Sequence, residues 1–228
     1  NYGTLSDMLL IYLYNVINIL LLPLYMILIF IRIIKAKDSW ISFKQRLGFA
    51  CAQRLPGKLL WIHAASVGES MVAITLIRAL SALYPKYNFL VTTGTLSSAQ
   101  ILENSLPQNA THQFTPIDNF LVVRKFLNHW KPDLGIFIES ELWPCLITEA
   151  SDKCNLMLVN ARLSDKSYKR WQSKKWLFKL IIDNFLKVIV QSKADLYKYQ
   201  QLGCSDPINL GNLKFANKEL DVDKQTLL

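Results

Sequence analysis

The sequence predicts an α/β fold, a doubly wound parallel sheet preceded by a membrane-anchor helix. Three observations predict it. Met8 to Ile31 is a run of 24 residues without a charge. After it, short β-rich segments alternate with segments of helical period. Roughly 190 residues follow the apolar run, enough for one such domain, and half of all residues are apolar, 51%.

The apolar run is long enough to cross the hydrocarbon core of a bilayer as a helix, which takes about 20 residues. Pro23 is a candidate kink, and Asn15 and Asn18 make the first half less apolar, so a shallow or re-entrant helix is an alternative. A cleaved signal peptide fits poorly, because Asp7 is the charge before the run and no small-x-small site follows it. Arg32, Lys35, Lys37 and Lys44 come after the run, which places that end on the cytoplasmic side of an inner membrane. Residues 1–38 are therefore read as an anchor, 39–217 as the α/β domain, and the polar tail 218–228 as the start of a linker.

Candidate strands are Leu59–His63, Phe89–Thr93, His112–Thr115, Leu134–Ile138, Leu156–Val159, Val188–Gln191 and Ile208–Leu210. Apolar residues at helical spacing lie between them: Val72 to Leu83, Phe120–Trp130, Pro144–Ser151 and Trp176–Leu186. Strand, crossover and strand repeated in this way imply a parallel sheet with helices on both faces.

The chain carries 26 basic and 17 acidic side chains. That balance favours an anionic partner, whether nucleic acid, a phospholipid surface or a phosphorylated substrate, and does not choose among them. Between Arg162 and Lys198 ten Lys or Arg face three Asp, interleaved with Tyr168, Trp171, Trp176 and Phe178. Such a stretch suits an anionic membrane surface or head group; no nucleic-acid motif accompanies the charge. Cys51, Cys145, Cys154 and Cys204 form no C-x-x-C pair and lie at no ligand spacing from the histidines, so they read as reduced thiols without a structural metal.

In open α/β sheets functional residues gather at the carboxyl ends of the strands, and three loops there are unusual. The first runs from His63 through Ser66, Val67 and Gly68 to Glu69. Gly68 permits close backbone approach, and Glu69 in the first helical turn is held ionised by the helix dipole, as suits a base that takes a proton from an alcohol. A plain first-turn residue would look the same. The second loop, Glu139-Ser140-Glu141-Leu142-Trp143-Pro144, puts two carboxylates at the end of a buried strand, where each needs a partner; helix capping is the bland alternative. The third, Asn160 to Ser164, offers the Arg162 fork to a phosphate or carboxylate, or to Glu139 or Glu141.

With these loops, Gln45-Arg46-Leu47-Gly48 and Gly211-Asn212-Leu213-Lys214-Phe215, the chain resembles the Kdo transferases, which move 3-deoxy-D-manno-octulosonic acid (Kdo) from CMP-Kdo to a lipid A precursor in lipopolysaccharide biosynthesis. The resemblance covers Ser39 to Asn217. It implies the N-terminal, Rossmann-like acceptor half of an inverting GT-B glycosyltransferase at the cytoplasmic face of the inner membrane, with no metal or cofactor. The donor CMP-Kdo would be held by a second domain that this sequence does not contain. By the same resemblance Glu69 is the general base and one of Glu139 and Glu141 a supporting acid. Ser66, Gly68, Asn160, Arg162 and Lys214 become candidates for binding the acceptor and its anionic groups. A non-catalytic, membrane-bound, lipid-binding remnant of such an enzyme is the alternative.

Overall fold

The computed structural model describes residues 5–35, 38–139 and 142–213, with side chains from residue 13 onward. Glu141, Lys214 and the expected linker 218–228 lie outside the described residues.

Among the described residues seven strands form one parallel sheet: β1 (Leu59–His63), β2 (Asn88–Thr93), β3 (Ala110–Phe114), β4 (Leu134–Ile138), β5 (Asn155–Ala161), β6 (Lys187–Val190) and β7 (Pro207–Asn209), in the order β3-β2-β1-β4-β5-β6-β7. Strand order reverses between β1 and β4, which pair in register from Leu60↔Leu134 to His63↔Phe137. Every residue of β1 is buried, as expected of a parallel strand covered on both faces.

Because successive side chains of a strand point to opposite faces, the apolar runs feed two cores. Leu59, Trp61, Phe137, Leu156 and Leu158 pack with α5 (Phe120–Trp130), α6 (Pro144–Ser151), α8 (Lys175–Ile182) and α9 (Lys193–Gln201). Leu60, Ile62, Ile136, Ile138 and Val159 pack with α3 (Val67–Leu83) and α4 (Leu96–Glu103). This is the doubly wound arrangement read from the sequence. Three helices fall where hydrophobic periodicity is weak: α2 (Trp40–Arg46), α4 and α9. Their serine or threonine N-caps, Ser39, Thr95 and Ser192, mark their starts instead. The basic stretch holds α7 (Asp165–Gln172), α8, β6 and the first part of α9; the helix expected over Trp176–Leu186 is α8, which ends earlier, at Ile182.

The apolar run forms α1 (Leu5–Ile34), with Pro23 inside it. Of it, Leu13–Ile34 is long and apolar enough to cross a membrane. α1 and α2 sit at the carboxyl edge of the sheet. Tyr14 donates from its hydroxyl to Asp118, just past β3, at 2.6 Å. The Gln45 side chain accepts from the backbone N–H of Phe114, the last residue of β3, at 2.8 Å. Gly48 follows α2 at φ +80°, and a Cβ there would lie 2.4 Å from the Val122 carbonyl oxygen, so glycine is required.

Candidate active site at the strand-order reversal

The loop after β1 and the loop after β4 are neighbours, because their strands pair up to His63↔Phe137. This is the crevice where open α/β sheets bind ligands. The His63 ring lies 5.1 Å from that of Phe137 and 6.4 Å from that of Trp143, so the β4 loop folds over the end of β1.

Glu69 stands at the third position of α3, whose N-cap is Ser66. Its carboxylate accepts from the backbone N–H of Ala65 at 2.8 Å and from the Ser66 hydroxyl at 2.7 Å, while Ser66 Oγ accepts from the Glu69 N–H at 3.3 Å. This is a capping-box exchange, shifted so that the glutamate reaches the residue before the cap. Glu69 is only 6% exposed. Its side chain therefore serves the start of α3 in the arrangement seen.

A chain of contacts joins this loop to the junction of α1 and α2. Asp38, buried, accepts from Arg32 at 2.7 Å, from Arg46 at 3.2 Å and from the Ser42 hydroxyl at 2.7 Å. Burial works to raise its pKa, but Ser42, Arg32 and Arg46 hold it below the ordinary aspartate value. Arg46 also donates to the Gly94 carbonyl at 2.8 Å, and the Gly94 N–H donates to the Ala65 carbonyl at 3.2 Å. A Cβ on Gly94 would meet that carbonyl oxygen at 2.9 Å. Ala65 in turn donates to Glu69.

Glu139 is held differently. It has φ +62°, a backbone region disfavoured for a side-chain-bearing residue, and is 7% exposed. Its carboxylate pairs with Arg162 at 3.0 Å. Arg162 thus meets Glu139, the ion-pair alternative left open by the sequence, and its side chain remains 55% exposed. Glu139 does not take the place of an N-cap on α6. There Asp118 accepts from the N–H groups of Cys145 and Leu146 at 3.2 and 2.7 Å, while Trp143, the N-cap, makes no side-chain cap hydrogen bond. Burial raises the Asp118 pKa, against the hydrogen bonds from Tyr14, Leu146 and Cys145.

The third loop begins two residues later than expected. Asn160 and Ala161 belong to β5, which pairs with β6 through a register shift between Leu158 and Ala161. Asn160 adopts φ +56°, and its side-chain oxygen accepts from the Leu213 N–H at 3.1 Å, which ties Leu213 to the end of β5. Its buried side-chain nitrogen has no hydrogen-bond partner among the described residues.

A family model described as 3-Deoxy-D-manno-octulosonic-acid transferase (kdotransferase) matches residues 42–217. The chain belongs to this family. A 3-deoxy-D-manno-octulosonic acid transferase of Rickettsia bellii is 52% identical over 216 residues, covering 95% of this chain and 52% of the relative. One of Rickettsia felis is 60% identical over 169 residues, 74% of this chain and 36% of the relative. A more distant one from Haemophilus influenzae is 29% identical over 214 residues, 89% and 50% of the respective lengths. The chain spans about half the length, or less, of the curated relatives it matches.

Set on this Kdo transferase domain, Ser66, Gly68 and Glu69 share the β1 loop, while Glu139, Asn160 and Arg162 cluster at the ends of β4 and β5. Sequence reasoning missed Asp118, half-buried, whose partners lie far away in the chain, and Asp38, buried, which joins the end of α1 to α2. Neither stands in a motif. Arg46 and Gln45 were visible as part of a signature, but not as the residues that tie α2 to the sheet edge.

Proposed function

We propose that this chain is the acceptor-binding half of a transferase that moves Kdo from CMP-Kdo to a lipid A precursor at the inner membrane. In this reading a glucosamine hydroxyl of the precursor sits beside Glu69. Glu69 takes its proton as the oxygen attacks the ketosugar carbon, the bond to CMP breaks, and the anomeric centre inverts. Arg162, with Ser66, Gly68, Asn160 and Lys214, holds the acceptor and its phosphates. Glu139 or Glu141 keeps the neighbouring loop in place. No metal is assigned a role. CMP-Kdo is bound by the polypeptide that relatives carry beyond the matched half.

The observation that carries this reading is the juxtaposition of the Glu69 and Glu139 loops at the β1–β4 reversal, on the edge that also holds α1. The coverage of Glu69 constrains it. Each carboxylate oxygen has a second lone pair, so an alcohol can donate to Glu69 without displacing Ala65 or Ser66, but the surrounding side chains must part to admit it.

The test is Glu69→Gln in the polypeptide completed to the length of its relatives, with Kdo transfer measured at saturating donor. A general base supplies about 10²–10⁴-fold in rate, so kcat should fall by that range while acceptor binding persists. Near-normal turnover removes Glu69 from the role. Acceptor binding by residues 1–228 without transfer in any completed form is the behaviour of a lipid-binding remnant.

A further inference from the structure

Helix α1 is apolar all round, yet its two sides are in different surroundings. Tyr14, Asn18, Leu22, Tyr25, Ile29 and Ile33 recur every three or four residues and are its less exposed positions. Ile17, Leu20, Leu24, Ile27, Ile31 and Ile34 recur at the same spacing on the other side and are exposed, Leu20 at 74% and Ile34 at 71%. The first face meets the domain toward its two ends, where Asn18 and Ile29 are buried, and the opposite face has none of the described residues packed over it.

The docking contacts lie at both ends. Tyr14 bonds to Asp118 and shares the wall of a cavity of about 150 Å³ with Cys145, Glu149, Trp176 and Leu180. Arg32 bonds to Asp38, and Phe30 packs on Trp40 at 5.9 Å between ring centroids. Eighteen residues of helix separate Tyr14 from Arg32, about 27 Å at 1.5 Å per residue, against a hydrocarbon core of about 30 Å. The docked stretch thus uses up nearly the whole length that could span.

A spanning α1 faces two costly choices. If it stays docked, Asp118 and the Arg124–Glu149 ion pair at 2.6 Å are drawn beside hydrocarbon with the domain around them. If it undocks, Asp118 loses the Tyr14 hydroxyl and the buried Asp38 loses Arg32, both partly shielded from water. A helix lying flat avoids both. Exposed Trp176, Lys174 and Lys175 flank the Tyr14 end, and exposed Trp40, Lys35 and Lys44 flank the Arg32 end. Tryptophan and lysine are the residues that settle at the headgroup level. Five of these six lie on α2 and α8 or at their starts, in a domain that sits on one side of a bilayer, so both ends of α1 are at the same interface.

We propose that α1 lies in the plane of the bilayer surface, with the Leu20–Leu24–Ile27 face among acyl chains and the Tyr14–Asn18–Ile29 face fixed to the domain. It does not cross the membrane. The occupant of the exposed face is lipid, and the surrounding cations select an anionic surface. This rests on the reading that the chain works at a membrane. It adds that the β1–β4 crevice is held at acyl-chain level, so a lipid acceptor need not be lifted out of the bilayer.

The test uses the full chain with Cys51→Ser, carrying Ser6→Cys near the start of α1 or Lys174→Cys on the domain, in right-side-out and inverted bacterial membrane vesicles. A membrane-impermeant maleimide should label both cysteines from the same side. Labelling of Ser6→Cys from the side opposite Lys174→Cys overturns the proposal while leaving membrane association intact. Should Ser6→Cys be shielded, bimane on Leu20→Cys and Ile34→Cys decides. With brominated phosphatidylethanolamine and phosphatidylglycerol the two should quench at equal shallow depth, and a deep Leu20 with a shallow Ile34 refutes the flat orientation. Failure of the chain to float with vesicles of these lipids removes the membrane reading and the proposal together.

Discussion

The loops after β1 and β4 each present a carboxylate at the strand-order reversal, and they are built by opposite means. Glu69 is bonded by Ala65 and Ser66, three and four residues away, in a helix cap that forms with the helix it opens. Glu139 is bonded by Arg162 from beyond β5, and the helix that follows it is capped by Asp118, 27 and 28 residues before the N–H groups it accepts from. The difference teaches that one loop can take shape as soon as its own segment folds. The other exists only when β4, β5, α5 and α1 have assembled. A local device resists change elsewhere; an assembled one transmits it.

The largest effect is expected at the seam the two loops share. His63 is wholly buried between them, and burial lowers its pKa to about 3. His112 on β3 is lowered to about 4, by burial first and by the charge of Arg46 second. Both folded values lie below the ordinary histidine value of about 6.5. Above that pH neither form takes up a proton and stability does not change on their account. As pH falls below it, the unfolded chain binds protons that the folded one refuses, so stability is lost until the folded pKa values are reached. The slope should approach roughly 1.4 kcal/mol per pH unit for each histidine. Denaturant titrations between neutral pH and the acid limit of solubility should show it, and His63→Phe should shed about half of the slope. An unchanged slope in that variant would mean His63 is not held neutral at the seam.

Next in size is Asp118→Ala. It strands the N–H groups of Cys145 and Leu146 and the Tyr14 hydroxyl, and losses of buried bonds to a charged group run to about 3 kcal/mol. Hydrogen exchange should quicken at Cys145–Ile147 and leave Glu69–Met71 as protected as before. Equal quickening in both places would erase the distinction between the two loops.

The sequence was most legible where physics is local. Leu59–His63, Leu134–Ile138, Phe120–Trp130 and Pro144–Ser151 stand in the structure at the bounds their hydrophobic pattern implies, since strand alternation and helical period are written in neighbouring residues. The Ser66–Glu69 spacing is likewise a capping signature in plain view. Asp118 and Asp38 were illegible because their partners lie on other elements; a lone aspartate in a loop carries no sign of the helix end it will cap. The positive φ values of Glu139 and Asn160 were hidden for a related reason. Neither residue is glycine, and the strain is set by the assembled sheet end. Arg162 declared its chemistry but not its choice of partner.

The smallest effect asks whether the β1 loop is as self-contained as its bonds suggest. Ser66→Ala removes the hydroxyl that accepts from the Glu69 N–H and donates to the Glu69 carboxylate. Loss of an N-cap costs about 1 kcal/mol, far less than the loss of Asp118, because water can reach the first turn of α3: Val67 is 40% exposed and Met71 50%. Fraying should stay within Val67–Met71, seen as faster exchange there and nowhere on α6. Ser66→Thr, which keeps the hydroxyl, should restore most of it. If Ser66→Ala instead loosens Cys145–Ile147, the cap is carrying load for its neighbour. The contact chain from Asp38 through Arg46, Gly94 and Ala65 would then be the route, and Gly94→Ala should produce the same pattern with Ser66 intact.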